Sequence, residues 1–332
     1  MTRSRKVIFG CVATVLVFSL AEFGLRMVGV RPAYQADFVG WRLPANQQGQ
    51  RMRSPEGHDF RITTNEDGLR TRVPREKSPG ALRVAVMGDS TVFGWGVEDG
   101  QDLSAHMEAP LRPRSQKRVE LMNAAQPGYS TVQLSWLFHD TIAAYQPDIV
   151  LFFPPQHDLT PALVSDLESL QGASSIRAGP RIALSRHSRL YHLLWMALGG
   201  APAQDTEDGL ELEEPGVVLV PRVSDAERGR VLDGIQDALA AWDGRLVLGL
   251  MPFYPDLHFG PDAPGPDGPG VEWARDHTTR QNLGLVDLRH CCGPNADRLV
   301  FEYDKWHLNE QGNAAVGEAA GRHLADLLFP RK

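Results

Sequence analysis

Five short apolar runs, each separated from the next by a stretch with helical patterning, constrain this chain more than any other feature. They are Leu82–Met87, Val119–Asn123, Asp148–Phe153, Arg245–Met251 and Gly284–Leu288. Helical patterns lie between them near 101–112, 131–145, 222–242 and 271–282, and a last one runs from about 310 to 328. Strands that alternate with helices imply βαβ units and a mostly parallel five-stranded sheet covered on both faces, a three-layer α/β/α architecture. Ligands of such sheets sit beyond the carboxyl ends of the strands. Chemistry is therefore expected just after each run.

Composition narrows the class. The 332 residues are ample for one large α/β unit, and the 23% of charged side chains is an ordinary globular value. A net charge of −7 argues against a nucleic-acid partner, which calls for a basic footprint. Three cysteines cannot make a disulfide framework, and no repeat period is present.

The N-terminus is a separate element. Arg3, Arg5 and Lys6 precede an uncharged run from Val7 to Ala21, and the apolar pattern resumes after Glu22 and Arg26 to reach Val30. As one helix, Val7–Val30 spans about 36 Å, enough to cross a hydrocarbon core of roughly 30 Å. Glu22 and Arg26 stand four apart on one face and can pair. Three readings remain: a transmembrane anchor over 1–30, a signal peptide ending at Ser19-Leu20-Ala21, or a buried helix of a soluble protein. In the first two, which lead, the basic residues stay cytoplasmic and the rest of the chain is extracytoplasmic.

Residues 31–80 read as a linker plus a small β element, carried by the alternation Asp59-Phe60-Arg61-Ile62-Thr63-Thr64 and a turn at Glu66-Asp67-Gly68. The main domain, 81–332, is interrupted at about 159–221 and 252–270. The first insertion holds an apolar helix candidate, Leu190–Met196, and an acidic stretch from Asp205 to Glu214; the second is a Pro/Gly/Asp-rich surface loop.

The first apolar run ends in Gly88-Asp89-Ser90-Thr91, which puts a serine at the edge where a parallel sheet exposes its ligands. The second ends in Asn123-Ala124-Ala125-Gln126-Pro127-Gly128, whose glycine lets the backbone aim an N–H outward. The third ends in Pro154-Pro155-Gln156-His157-Asp158. A serine becomes a nucleophile when a base takes its proton, and a carboxylate fixes the tautomer of that base. Two Asp-x-x-His pairs could supply both groups: Asp304 with His307, before the last helix, and Asp287 with His290, after the fifth run. Spacing alone does not choose between them. Asp89 and Asp158 are expected to support loops, and Arg222 to lie at the surface. His290 beside Cys291-Cys292 lacks metal-ligand spacing, so a buried or vicinally oxidised pair is expected there. No cofactor and no metal is expected, since the chain has neither a phosphate-binding glycine loop nor a dinucleotide fingerprint.

In their order and positions, Gly88-Asp89-Ser90, Asn123 through Gly128, the segment ending in Asp158, and Asp304-x-x-His307 resemble the SGNH (GDSL-like) hydrolases over roughly residues 82–328. The charged-then-apolar N-terminus followed by Thr64-Asn65-Glu66-Asp67-Gly68-Leu69-Arg70 is similar to the membrane-anchored bacterial members. The resemblance implies a flavodoxin-like sheet order, Ser90 as nucleophile, His307 as general base and Asp304 as its orienting partner. It selects Asp304 and His307 over Asp287 and His290. It also implies oxyanion donors at the backbone N–H groups of Ser90 and Gly128, with a third from an asparagine in a Gly-x-Asn-Asp block. This chain departs from that block: Pro155 stands for the glycine and His157 for the asparagine.

Three functions follow as expectations. The leading one is a serine ester hydrolase of the cell envelope, acting through an acyl-enzyme on an ester-bearing small molecule, lipid or acylated glycan. An O-acyltransferase would use the same residues with a sugar hydroxyl in place of water. A non-catalytic envelope binding or assembly protein would explain the altered Pro155–Asp158 block.

Overall fold

The computed structural model describes residues 3–29, 35–37, 39–54, 57–172, 184, 187–195, 197–198, 219–252, 269–293 and 296–330. The acidic stretch 205–214 and most of the 252–270 loop lie outside the described residues. The chain divides into two compact units, Met1–Pro44 with Gln171–Gln204, and Ala45–Leu170 with Asp205–Lys332.

In the smaller unit, the N-terminal apolar run is helix α1 (Arg3–Met27), whose side chains from Val7 to Met27 are largely unburied. Its segment Ser4–Met27 is long and apolar enough to cross a membrane, a test that anchors and signal sequences both pass. The Glu22 carboxylate, within an apolar run, is satisfied three ways: by Arg26 Nε at 2.7 Å, Ser188 Oγ at 3.1 Å and Leu190 N–H at 3.0 Å. The last two contacts put it at the start of α6 (Arg189–Trp195), which accounts for the predicted apolar helix. A short antiparallel pair, β1 (Gln35–Asp37) and β2 (Gly40–Arg42), completes this unit.

The larger unit is built on a five-stranded, wholly parallel sheet. Its strands are β5 (Leu82–Met87), β6 (Val119–Asn123), β7 (Ile149–Phe152), β10 (Arg245–Leu250) and β11 (Gly284–Asp287), in the order β11-β10-β7-β5-β6. β5 is buried along its whole length, as expected for a strand covered on both faces. After β6 the chain crosses back over β5 to place β7 on its other side, so the strand order reverses between β5 and β7. That reversal opens the crevice in which parallel sheets bind ligands.

The intervening helices are α2 (Ser90–Phe93), α3 (Leu103–Leu111), α4 (Thr131–Asp140), α5 (Asp166–Gly172), α7 (Asp225–Ala240), α8 (Pro269–Gln281), α9 (Ala296–Leu299) and α10 (Glu310–Leu328). α3 and α10 approach closely because Gly317 and Gly321 carry no Cβ: one there would meet the Leu103 and Met107 carbonyl oxygens at 2.4 and 2.6 Å. Several boundaries differ from the sequence reading by a residue or more: β7 lacks Asp148 and Phe153, β10 ends at Leu250 and β11 at Asp287. Asp148 immediately precedes β7, and its carboxylate accepts the Arg83 N–H at 2.7 Å and pairs with Lys77. The helix expected over 131–145 stops at Asp140, and Ile142–Tyr145 continues as a 3-10 turn.

Two short antiparallel pairs flank this sheet. β3 (Gln50–Arg53) pairs with β4 (Asp59–Ile62), and β8 (Pro161–Ala162) with β9 (Val220–Pro221). β4 alternates as its sequence requires, with Phe60 and Ile62 buried. Its partner β3, Gln-Arg-Met-Arg, has the same alternation, but only Met52 is apolar among its inward residues, and the pattern is hidden in the sequence.

Candidate active site

Ser90 is the first residue of α2, a single helical turn that begins immediately beyond β5. Gly88 makes the sharp exit possible: a Cβ there would stand 2.4 Å from Val92 Cγ2. Asp89 caps the turn, its Oδ1 accepting from the Thr91 N–H at 3.0 Å and the Thr91 hydroxyl at 2.7 Å. As a first-turn residue, Ser90 has a backbone N–H with no intrahelical acceptor.

Asp304 and His307 reach Ser90 from a loop that closes on itself before α10. The bridge between Val300 and Leu308 and the Phe301 N–H donating to the His307 carbonyl at 3.3 Å set its base. Asn309 caps α10 through the Gly312 N–H and donates to the Arg298 and Val300 carbonyls. Within the loop, Asp304 Oδ1 accepts the N–H groups of Trp306 at 3.0 Å and His307 at 3.2 Å. Its Oδ2 lies 2.5 Å from His307 Nδ1, and His307 Nε2 lies 2.7 Å from Ser90 Oγ. With Nδ1–H donating to the carboxylate, Nε2 is the acceptor that faces the serine hydroxyl. Burial pushes the Asp304 carboxyl up, but the hydrogen bond and charge of His307 and the two backbone N–H groups outweigh it and hold the group below the usual carboxylate range.

The other Asp-x-x-His pair is occupied elsewhere. The Asp287 carboxylate at the end of β11 accepts from Arg289 Nε at 3.0 Å and Nη2 at 2.7 Å, and Arg275 lies 3.6 Å away. Against burial, which pushes it up, Arg289 holds this carboxyl low. Cys291 and Cys292 are joined in a vicinal disulfide, and no cluster able to hold a metal occurs among the described residues.

Gly128 sits in the loop after β6 with φ of +70°, a left-handed conformation that favours glycine. The same loop is tied to the Ser90 turn by the Gln126 N–H, which donates to the Gly88 carbonyl at 3.0 Å. His157 follows β7 in the 3-10 turn Gln156–Leu159, its Nε2 at 3.7 Å from Asp89 Oδ2. The next residue, Asp158, is fully buried and accepts from the Thr131 N–H at 2.8 Å, the Thr131 hydroxyl at 2.6 Å and Arg228 Nε at 2.9 Å. It thus pins the segment that carries His157. Arg222 is spent on Asp166 and Gln133.

Three residues near the site had no role assigned from sequence. Asn123 Nδ2 donates to the Phe93 carbonyl and to Asp102, both at 3.1 Å. The Trp95 ring lies 6.5 Å from the His307 ring and packs edge-on to Phe60 at 5.1 Å. Arg70 is buried and donates to three carbonyls around α2. The only sequence signal for Arg70 was its place in the Thr64–Arg70 block.

No family model and no curated protein sequence matches the chain. Among solved structures it is similar to the lipase/acylhydrolase from Enterococcus faecalis, with 14% identity over 75% of this chain and 98% of that one and a TM-score of 0.43. It is similar also to the psychrotrophic esterase EstA from Pseudoalteromonas sp. (11%, 74% and 98%, TM-score 0.42) and to a member of the lipolytic protein G-D-S-L family from Veillonella parvula DSM 2008 (13%, 72% and 95%, TM-score 0.36). At these TM-scores function is read from the side chains, not from the likeness. What the chain itself presents is a parallel α/β sheet with a serine, a histidine and an aspartate joined in series at its carboxyl edge.

Proposed function

We propose that this chain is a serine ester hydrolase of the SGNH (GDSL-like) type. The observation that carries the reading is the continuous path from Asp304 Oδ2 through His307 to Ser90 Oγ, with separations of 2.5 and 2.7 Å. Ser90 Oγ attacks the ester carbonyl carbon while His307 Nε2 takes the hydroxyl proton. Asp304 holds the imidazole in the tautomer that can accept it and stabilises the imidazolium that forms. The tetrahedral oxyanion receives hydrogen bonds from the N–H groups of Ser90 and Gly128 and from His157, which takes the place of the family's asparagine. Collapse breaks the bond to the alcohol oxygen, which leaves with the proton from His307. Water then gives a proton to His307 and attacks the acyl-Ser90. The acid departs as Ser90 Oγ recovers its proton.

The α1 helix is read as a membrane anchor that keeps the larger unit on the extracytoplasmic side, with ester-bearing small molecules, lipids or acylated glycans of the envelope as substrates. Its length, its apolar unburied surface and the basic residues before it support that reading. The test is hydrolysis of p-nitrophenyl acetate by the full chain in detergent micelles, with Ser90→Ala as control. Nitrophenol release that depends on Ser90 is expected; equal release by parent and variant removes Ser90 as nucleophile.

A further inference from the structure

We infer that Arg70 is a positioning residue for the nucleophile turn, and that the Thr64–Arg70 block is the clip that holds it there. The inference rests on the hydrolase reading above, since it is Ser90 that is being positioned.

α2 is one turn long, and a four-residue helix has almost no stability of its own. Its amino end is capped by Asp89. Its carboxyl end, where carbonyls lack intrahelical partners, is capped by Arg70. Arg70 Nη1 donates to the carbonyls of Phe93 at 3.0 Å and Gly94 at 2.8 Å, and Nη2 donates to that of Val97 at 2.8 Å. Its Nε faces Asp99 at 3.3 Å, and the guanidinium lies 5.1 Å from the centre of the Phe93 ring. The Phe93 carbonyl also accepts from Asn123, so the end of the turn is fastened both to β6 and to Arg70. A rigid, planar fork fixes these three carbonyls at a set spacing, a geometry that the point-like ammonium of a lysine does not reproduce.

The block that presents Arg70 is itself tightly built. Asn65 Oδ1 accepts the N–H groups of Asp67 and Leu69, each at 3.0 Å, and Gly68 takes a φ of +74° in the turn. Asn65 Nδ2 donates to the Tyr145 hydroxyl at 2.7 Å, which in turn donates to Asp67 Oδ2 at 2.6 Å. Gln126, from the loop that carries Gly128, donates to the Gly68 carbonyl at 3.4 Å. The block therefore touches the nucleophile turn and the Gly128 loop together. Displacing a reacting group by about 1 Å can cost on the order of a hundredfold in rate.

The test compares kcat and KM for p-nitrophenyl acetate in the full-length parent, Arg70→Lys and Arg70→Ala, with and without added low-millimolar guanidinium. Arg70→Ala is expected to lose about a hundredfold in kcat with KM changed little, because substrate contacts are untouched. Arg70→Lys should fall between, and guanidinium should restore part of the Arg70→Ala rate while leaving the parent unaffected. Where Arg70→Ala does not fold, the kcat of Arg70→Lys decides. A folded Arg70 variant at parent kcat overturns the inference, as does a loss confined to KM. A parent without Ser90-dependent turnover overturns the hydrolase reading itself, which separates the two failures.

Discussion

His157 Nε2 stands 3.7 Å from Asp89 Oδ2, so its imidazole lies beside the carboxylate that caps the turn carrying Ser90. The neighbouring Asp158, buried and triply hydrogen-bonded, fixes the backbone on which His157 sits. If His157 donates to the oxyanion, His157→Ala should lower kcat by about a hundred- to a thousandfold, the usual cost of one such donor. His157→Asn should stay within tenfold of the parent. Parent-like kcat in His157→Ala would leave the residue a purely structural role.

Asp304 gives a pH prediction with a definite sign. Its folded-state value lies below the ordinary carboxylate value of about 4. A depressed carboxylate contributes stability that is present above the unfolded value and is lost as pH falls through the folded one. Urea midpoints of parent and Asp304→Asn should therefore converge below about pH 4 and separate above it. A gap that does not change with pH would show that the aspartate's charge is not what stabilises the loop.

Gly88 offers a steric test. In Gly88→Ala the new Cβ would meet Val92 Cγ2 at 2.4 Å and Val92 Cβ at 2.8 Å, so the turn must move. Overpacking of this kind costs about 1–3 kcal/mol. Thermal unfolding should report that loss, and kcat should fall with it because Ser90 is two residues away. Parent stability would mean the exit from β5 is looser than its contacts imply.

Much of this was legible because the strands and helices carry strong periodic signals. All five apolar runs became strands of one parallel sheet, and Ser90, Gly128 and His157 each fall just beyond a strand end, as the sheet's logic requires. Asp89 and Asp158, expected to support loops, both accept backbone N–H groups, of Thr91 and Thr131. Spacing could not rank the two Asp-x-x-His pairs. Only the folded chain shows that Arg289 takes up the Asp287 carboxylate while Asp304 faces His307. Arg70 was missed as part of the site because its partners are backbone carbonyls more than twenty residues away, and carbonyls leave no trace in a sequence. β3 was missed because two of its four residues are arginines on the exposed face.

In the proposed mechanism His307 and Asp304 make Ser90 a nucleophile. The most direct measurement is peptide mapping by mass spectrometry after the full chain is treated with a fluorophosphonate. One phosphonyl adduct per chain is expected, on Ser90, lost in Ser90→Ala and strongly slowed in His307→Ala. Labelling at another residue, or no label on folded protein, would contradict it.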